Sequence, residues 1–344
     1  MTPTHRIAPP GRRAGRGVLL FLAAFVLVSL VVGIAIGPVT IPIRTVADSL
    51  LGGEAYTTSA VHRVIVRQIR LPRVLLGLLV GSALAVSGTA MQGLFRNPLA
   101  SPYVLGVASG ASTGAALAIL VAESIVLLPL GAFFGASLAV LVVYRLARGR
   151  DRRTSIFTLI LAGVAVGALF SAVTSFLIFL SSGGDKLSDV LFWMMGGLGR
   201  GNWTAVAILA PIVCIGIGTI WAFSRDLNAL SLGEEGAFHL GVNPDMLIRC
   251  LLAVTTVLTA AAVSMAGTIG FVGLVIPHVV RLLVGPDHRR LIPTAALAGG
   301  SFLVWADTAA RTVFSPTELP VGVITAFLGA PFFLFLLKRK GAQL

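Results

Sequence analysis

Asp307 and Arg311 stand four residues apart in the apolar run "VWADTAARTV", one helical turn, where a carboxylate and a guanidinium meet as an ion pair. Inside a membrane such a pair either relays protons in an ion-coupled carrier or ties helices together. The apolar stretches 18–37, 155–181 and 203–223 hold no Asp or Glu at all, which favours the structural pair. His278, in "VIPHVVRLL", is the one histidine within an apolar stretch, and no H-E-x-x-H, paired intramembrane aspartates or G-x-S-x-G accompanies it. It reads as a packing residue, with haem ligation as the alternative. The three lysines, Lys186, Lys338 and Lys340, follow Asp185, Leu337 and Arg339, so the Gly-Lys pair of a phosphate-cradling loop is missing. No catalytic residue, metal ligand or cofactor site is expected. ATP-driven work would need ATP and Mg bound by a partner.

The elements that carry these residues are membrane helices. Of 344 residues 56% are hydrophobic and 11% charged, against about 25% charged in a soluble domain. Apolar runs long enough to cross about 30 Å of hydrocarbon recur along the chain. They fall at 18–37, 71–95, 98–121, 124–144, 155–181, 203–223, 246–268, 270–284, 291–312 and 319–337. The expected fold is an all-α polytopic membrane protein of about ten transmembrane helices. It comprises a basic cytoplasmic N-terminus at 1–17, a single membrane domain at 18–340 and a short tail at 341–344. The first run is longer than the 7–15 residues of a signal-peptide core, so a retained span is expected. The net charge of +13 is that of loop arginines that orient the spans, and nucleic acid is not an expected partner. Cys214 and Cys250 lie in apolar runs and read as small core residues.

Basic segments at both ends ("RRAGR", "KRK") place both termini in the cytoplasm. Two stretches then break the positive-inside pattern. Arg63, Arg67, Arg70 and Arg73 fall outside, before the second span, and the inner stretch 224–249 is net acidic through Asp226, Glu234, Glu235 and Asp245. Two violations on opposite faces point to two docking surfaces. In "LSLGEEGAFHLGVN", Ser231 followed by Glu234 is a capping-box pattern, two glutamates favour the helix dipole, and Gly241 supplies a stop. The stretch predicts a short surface helix over 231–241 that displays Ala237, Phe238 and Leu240.

Glycines at 77 and 81, at 106, 110 and 114, and at 163 and 167 make small-xxx-small patterns for close helix contact. Trp203 and Trp221 bracket the sixth span, about 27 Å apart, at the two interfaces. Short matches ("GTAMQGL" with "GTIGFVGL", "ASGAS" with "AGGS") suggest a faint inverted repeat.

Three longer stretches resemble a known family. "RLPRVLLGLLVGSALAVSGTAMQGLFRNPLASPYVLGVASGAS" (70–112), "GTIGFVGLVIPHVVRLLVGPDHRRLIPTAALAGGSFLVWADTAART" (267–312) and "ELPVGVITAFLGAPFFLFLLKRK" (318–340) are similar to signatures of the FecCD family. Its members are the permeases of ABC importers for iron–siderophore complexes, haem and vitamin B12. "FWMMGGL" (192–198) and the acidic stretch fit between them in the family order. The resemblance implies a type II ABC importer permease in a bacterial inner membrane. Its partners would be a second permease subunit, two ATP-binding subunits on the cytoplasmic face and a substrate-binding protein outside.

By motif, Arg70, Arg73 and Arg311 match outer-face arginines that receive glutamates of the binding protein in the vitamin B12 importer. Ser231, Glu234, Glu235, Phe238, His239, Leu240 and Gly241 match the coupling helix that seats in the ATPase. Met91, Gln92, Asn97, Pro98, Ser101, Thr154 and Ser155 are the expected path residues, with Ser101 standing where many relatives carry Asp or Glu. The expected path along spans five and ten has no charged side chain, which suits a large cargo recognised elsewhere. A ferric siderophore is the expected cargo, with haem or a corrinoid as the alternative. An ion-coupled secondary transporter is the reading from another class, and the shortage of buried carboxylates counts against it.

Overall fold

The computed structural model describes residues 12–51, 60–122, 124, 126–149, 155–181 and 184–341. The termini 1–11 and 342–344 and the loop 150–154, Thr154 included, lie outside the described residues. In hydrocarbon every backbone group must be satisfied within the segment, and helices do this here. In chain order they are α1 (Arg12–Ala35), α2 (Ile43–Leu51), α3 (Ala60–Val64), α4 (Leu71–Leu94), α5 (Val107–Ala116), α6 (Leu128–Ala147), α7 (Ile156–Leu180) and α8 (Asp185–Met195). There follow α9 (Trp203–Ala222), α10 (Ser224–Leu230), α11 (Glu234–His239), α12 (Pro244–Ala266), α13 (Val272–Val284), α14 (His288–Ala310) and α15 (Val321–Gly341). A π-helical stretch, Ile65–Arg70, fuses α3 to α4, and another, Leu117–Val121, extends α5.

Six helical stretches among the described residues are long and apolar enough to cross a membrane, and Val107–Val121, Val272–Val284 and Val321–Leu336 are shorter apolar ones. The 23-residue α14 completes the expected ten; its charged ends lower its apolar character. Polar caps set where spans begin. Ser155, Asn202, Asn243 and Asp287 each accept a backbone N–H of the first turn, of α7, α9, α12 and α14 respectively.

Buried along nearly all its length, α4 forms the centre of the bundle. It runs antiparallel to α14: Arg73 meets Asp307 at one end, and Gly93 adjoins the His288 ring at the other. The first end, called here the arginine end, carries residues 36–51, 60–70, 196–202 and 311–320. The second, the acidic-loop end, carries 95–101, 223–243 and 285–288. Trp203 donates from Nε1 to the Arg67 carbonyl (3.0 Å) at the first end, and Trp221 to the Arg289 carbonyl (3.1 Å) at the second. Both indoles are exposed, so the pair brackets the bundle as its spacing predicts.

Lipid gives apolar helices no hydrophobic reason to associate, so close packing must do it. The glycine patterns supply that packing. A Cβ on Gly81 would run into the Gly299 carbonyl of α14, and one on Gly88 into the Gly273 carbonyl of α13. Gly110 and Gly114 of α5 face Gly135 and Gly131 of α6 in the same way, and Gly163 of α7 faces the Val104 carbonyl. Gly218 of α9, by contrast, opens on empty space. Replacing Gly88 by Ala is expected to cost about 1–3 kcal/mol, the range for overpacking. Gly218→Ala should be neutral or stabilising by up to about 1 kcal/mol through helix propensity. Thermal unfolding of the detergent-solubilised protein compares the two; equal melting would show that backbone approach at Gly88 is not what holds α4 to α13.

Candidate functional site

At the arginine end the acid–base pair read from the sequence is part of a larger cluster. Asp307 is 2% exposed and accepts from Arg73 of α4: Nη2 at 2.8 Å and Nε at 3.1 Å to each oxygen. Arg311 sits one turn further along, its Nε 3.2 Å from Asp307 Oδ2, an ionic contact without hydrogen-bond geometry. The Nη1 of Arg73 donates to both oxygens of Glu318, at 2.9 and 3.1 Å. Arg311 spends Nη2 on the Gly33 carbonyl of α1 and, at 3.2 Å, on the Thr308 hydroxyl. Arg70 gives Nη1 to the carbonyls of Ile34 (2.8 Å) and Ala35 (2.9 Å), and Nη2 to that of Val39. The last carbonyls of a helix lack partners within it and carry partial negative charge. Two arginines therefore hold the C-terminus of α1, and a third holds α4 to α14.

The structure places the three expected docking arginines inside this cluster. Arg70, Arg73 and Arg311 are buried, at 4%, 8% and 2% exposure, and their guanidiniums are engaged within the chain. The physical reason is the cost of an unpaired cation at this depth, which internal carboxylates and carbonyls remove. The exposed arginines of this end are Arg44 and Arg200. Arg200 lines a cavity of about 220 Å³ together with Arg73, Trp193 and Glu318. Nothing in the sequence paired Arg73 or Glu318 with Asp307, since the first contact spans 234 residues.

At the acidic-loop end the predicted surface helix exists but is shorter, α11 over Glu234–His239. The capping box does not form. Ser231 instead closes the preceding α10, its hydroxyl donating to the Asn228 carbonyl at 2.6 Å. Gly233, at φ 104°, precedes α11 without a side-chain cap, because the chain must reverse sharply there. Ala237 is fully buried rather than displayed, as α11 turns that side inward. Phe238 and Leu240 are displayed, at 68% and 63% exposure, and Leu232 and Met246 are exposed too. Glu234, Glu235, Phe238, His239 and Asp245 line one cleft of about 490 Å³. Gly241, at φ 84°, follows α11 as the expected stop.

Asn228 of α10 ties this region to the bundle. Its Nδ2 donates to Asp287 Oδ1 at 2.7 Å, and its Oδ1 accepts the His288 backbone N–H at 2.9 Å. Burial pushes the Asp287 carboxyl up, but the Asn228 amide and the Arg289 backbone and side chain outweigh it and hold it below its ordinary value.

The expected path residues do not form one surface in the single chain. Met91 and Gln92 are buried; Gln92 donates to the Leu274 carbonyl at 3.1 Å and accepts from Arg281 at 3.2 Å. In the single chain both pack α4 against neighbouring segments. Asn97 is exposed and accepts the Leu99 N–H at 2.9 Å, with Pro98 half-buried beside it. Ser101 and Ser155 are caps, accepting from Tyr103 N and Thr158 N, each at 3.3 Å. An unwound segment over 267–271, between Gly267 (φ 69°) and Phe271 (φ 67°), separates α12 from α13. The Tyr103 hydroxyl donates to the Ile269 carbonyl at 2.9 Å and accepts its N–H at 3.3 Å, satisfying that break. Among the described residues no cluster of His, Cys, Asp or Glu could hold a metal, and buried His278 packs within α13.

The model of the FecCD transport family matches residues 24–339. The chain belongs to that family. It is 51% identical over 279 residues to a cobalamin import permease of Halobacterium salinarum, covering 81% of this chain and 74% of that protein. It is 44% identical over 284 residues to a hemin transport permease of Yersinia pestis, covering 80% and 83%. With an Fe(3+)-citrate import permease of Bacillus subtilis the identity is 38% over 340 residues, covering 97% and 98%. A solved metal-chelate type ABC transporter in an inward-facing conformation superposes with a TM-score of 0.84 at 32% identity, over 94% of this chain and 99% of that one. This FecCD protein is thus a multi-pass membrane permease of the ABC importer type.

The arginine-end cluster makes a stability prediction. Asp307→Asn leaves Arg73 and Arg311 without their shared buried anion and should cost about 3–5 kcal/mol or prevent accumulation in membranes. Glu318→Gln, at a carboxylate 42% exposed, should cost no more than about 1 kcal/mol. Membrane yield and melting temperature of the two variants check this; equal losses would refute the central place of Asp307.

Proposed function

We propose that this permease forms, with a second permease subunit, the membrane path of an ATP-driven importer for bulky metal chelates. The observation that carries the reading is the character of α7 and of the first turns of α15. Neither Ile156–Leu180 nor Val321–Leu336 contains a charged side chain, and both leave large apolar residues uncovered, among them Phe157, Phe176 and Phe327. Faces of this kind suit packing against a second permease subunit around a weakly interacting path. Ion coupling would need carboxylates there, and the buried carboxylate of the described residues, Asp307, is spent on two arginines.

The arginine end is the outer face on this reading, and the acidic-loop end is cytoplasmic. Phe238 and Leu240, framed by Glu234 and Glu235, are the surface offered to an ATP-binding subunit, which binds ATP and Mg. Exposed Arg44 and Arg200 add to the field met by an acidic binding protein, and such a field steers encounter and weakens with salt. Within the metal-chelate class the relatives named for cobalamin and hemin, at 51% and 44% identity, favour a corrinoid or haem. A ferric siderophore is the second reading, favoured by the ferric-citrate relative that spans nearly the whole chain.

Uptake by a strain lacking this chain, with and without complementation, tests both levels. Labelled cobalamin, hemin and a ferric siderophore are offered in parallel, with the partner ATPase intact or inactivated. Loss of cobalamin or hemin uptake that depends on the ATPase is the expected result. Loss confined to the siderophore replaces the cargo and keeps the machine, whereas uptake indifferent to the ATPase refutes the importer.

A further inference from the structure

The arginine-end cluster holds its two carboxylates very differently. Asp307 is 2% exposed and shared between Arg73 and Arg311. Glu318 is 42% exposed, and both its oxygens rest on one nitrogen of Arg73, Nη1. That is not the two-nitrogen fork that makes an arginine–carboxylate pair strong. The cavity of about 220 Å³ opens beside this contact, with Arg73 and Glu318 in its wall and exposed Arg200 also lining it. A carboxylate entering from outside would meet Arg200 and, behind Glu318, the same Nη1. Counting the group, Arg70, Arg73, Arg200 and Arg311 stand against Asp307 and Glu318, so the site is short of negative charge.

Glu318 also occupies a mechanical position. The neighbouring Leu319 N–H is anchored to the Ala310 carbonyl at the end of α14 (2.9 Å), and α15 begins at Val321, which is buried. Holding or releasing Glu318 therefore acts on the segment that joins α14 to α15.

We propose that Glu318 is an internal stand-in for a carboxylate of an acidic protein surface, and that docking exchanges one for the other on Arg73. The exchange leaves the buried Arg73–Asp307–Arg311 core intact and frees residues 312–320, which lead into α15. The inference rests on the reading that a binding protein docks at this face. It explains how a buried arginine takes part in docking: the exchange needs only the nitrogen that now holds Glu318.

The test uses the complete importer in lipid nanodiscs and the substrate-binding protein that co-purifies with it. Affinity is measured across a salt series for the unaltered complex, for Glu318→Gln and for Asp48→Asn, which removes an equal charge from an exposed site on α2. Removing the competitor should tighten docking about two- to fivefold, the span of a partly exposed ion pair, with no matching gain for Asp48→Asn. Hydrogen exchange of residues 312–320 should rise on docking in the unaltered complex and be raised already in free Glu318→Gln. Equal gains in the two variants would reduce the effect to net charge and overturn the proposal, as would an unchanged or weaker Glu318→Gln complex. Should Glu318→Gln fail to assemble, Glu318→Asp, with a shorter reach, must give a smaller gain of the same sign. Docking by the unaltered complex that ignores salt would instead overturn the docking reading itself.

Discussion

One carboxylate in a place hostile to charge organises the arginine end. Moving an ion out of water costs several kcal/mol even after relaxation, so a carboxylate buried there needs close partners. It is kept by two guanidiniums, and those cations then need acceptors of their own. They find them where a helix has acceptors to spare: Arg311 takes the Gly33 carbonyl, as Arg70 takes those of Ile34, Ala35 and Val39. The charge on Asp307 thus fixes α4 and α14 directly and α1 through its C-terminal carbonyls. The network is closed except on the side of Glu318.

Elsewhere the fold holds by contact rather than charge. Helices in lipid gain little from burying apolar side chains against one another, so the energy must come from density. Gly81 against Gly299, Gly88 against Gly273, and Gly110 and Gly114 against Gly135 and Gly131 bring backbones to a separation that no side chain permits. These pairs cluster on α4 and α5, which are buried, whereas α7 and α9 keep most of their surface uncovered. The inner helices are consequently committed to each other, and the outer ones keep surface for lipid or for another subunit.

What was legible in the sequence follows the range of each interaction. Most spans, the glycine faces at 81, 110, 114 and 163, the bracketing tryptophans and the Asp307–Arg311 pair depend on neighbours within a few turns and are found where the pattern put them. The span expected at 98–121, by contrast, becomes a membrane helix only from Val107, after a short turn at Pro102–Leu105. Arg73 with Asp307, and Arg70 with the end of α1, join residues 234 and 36 positions apart, and no local pattern carries them. The arginines were visible as a violation of charge orientation, but whether they faced water or the interior depended on acceptors far along the chain. The error at Ser231 has a different origin. The residues of a capping box were present at the right spacing, yet Gly233 breaks the backbone before α11, and the hydroxyl turned back to Asn228. Burial of Ala237 followed from the same reversal.

The two ends are joined by α14. It starts at Asp287–His288, bonded to Asn228 of α10, and ends at Asp307–Arg311 in the arginine cluster. Its 23 residues span about 35 Å as one helix. Along its length Gly299 and Gly300 press against α4, so bending or rotation alone would drive backbone into backbone. Pro293 near its start removes one backbone hydrogen bond, so the part of α14 held stiff against α4 is the stretch beyond it, which ends in the arginine cluster. At that end the least tightly held part is Glu318 and the segment leading into α15, because its carboxylate rests on a single nitrogen of Arg73 while Asp307 is shared by two arginines.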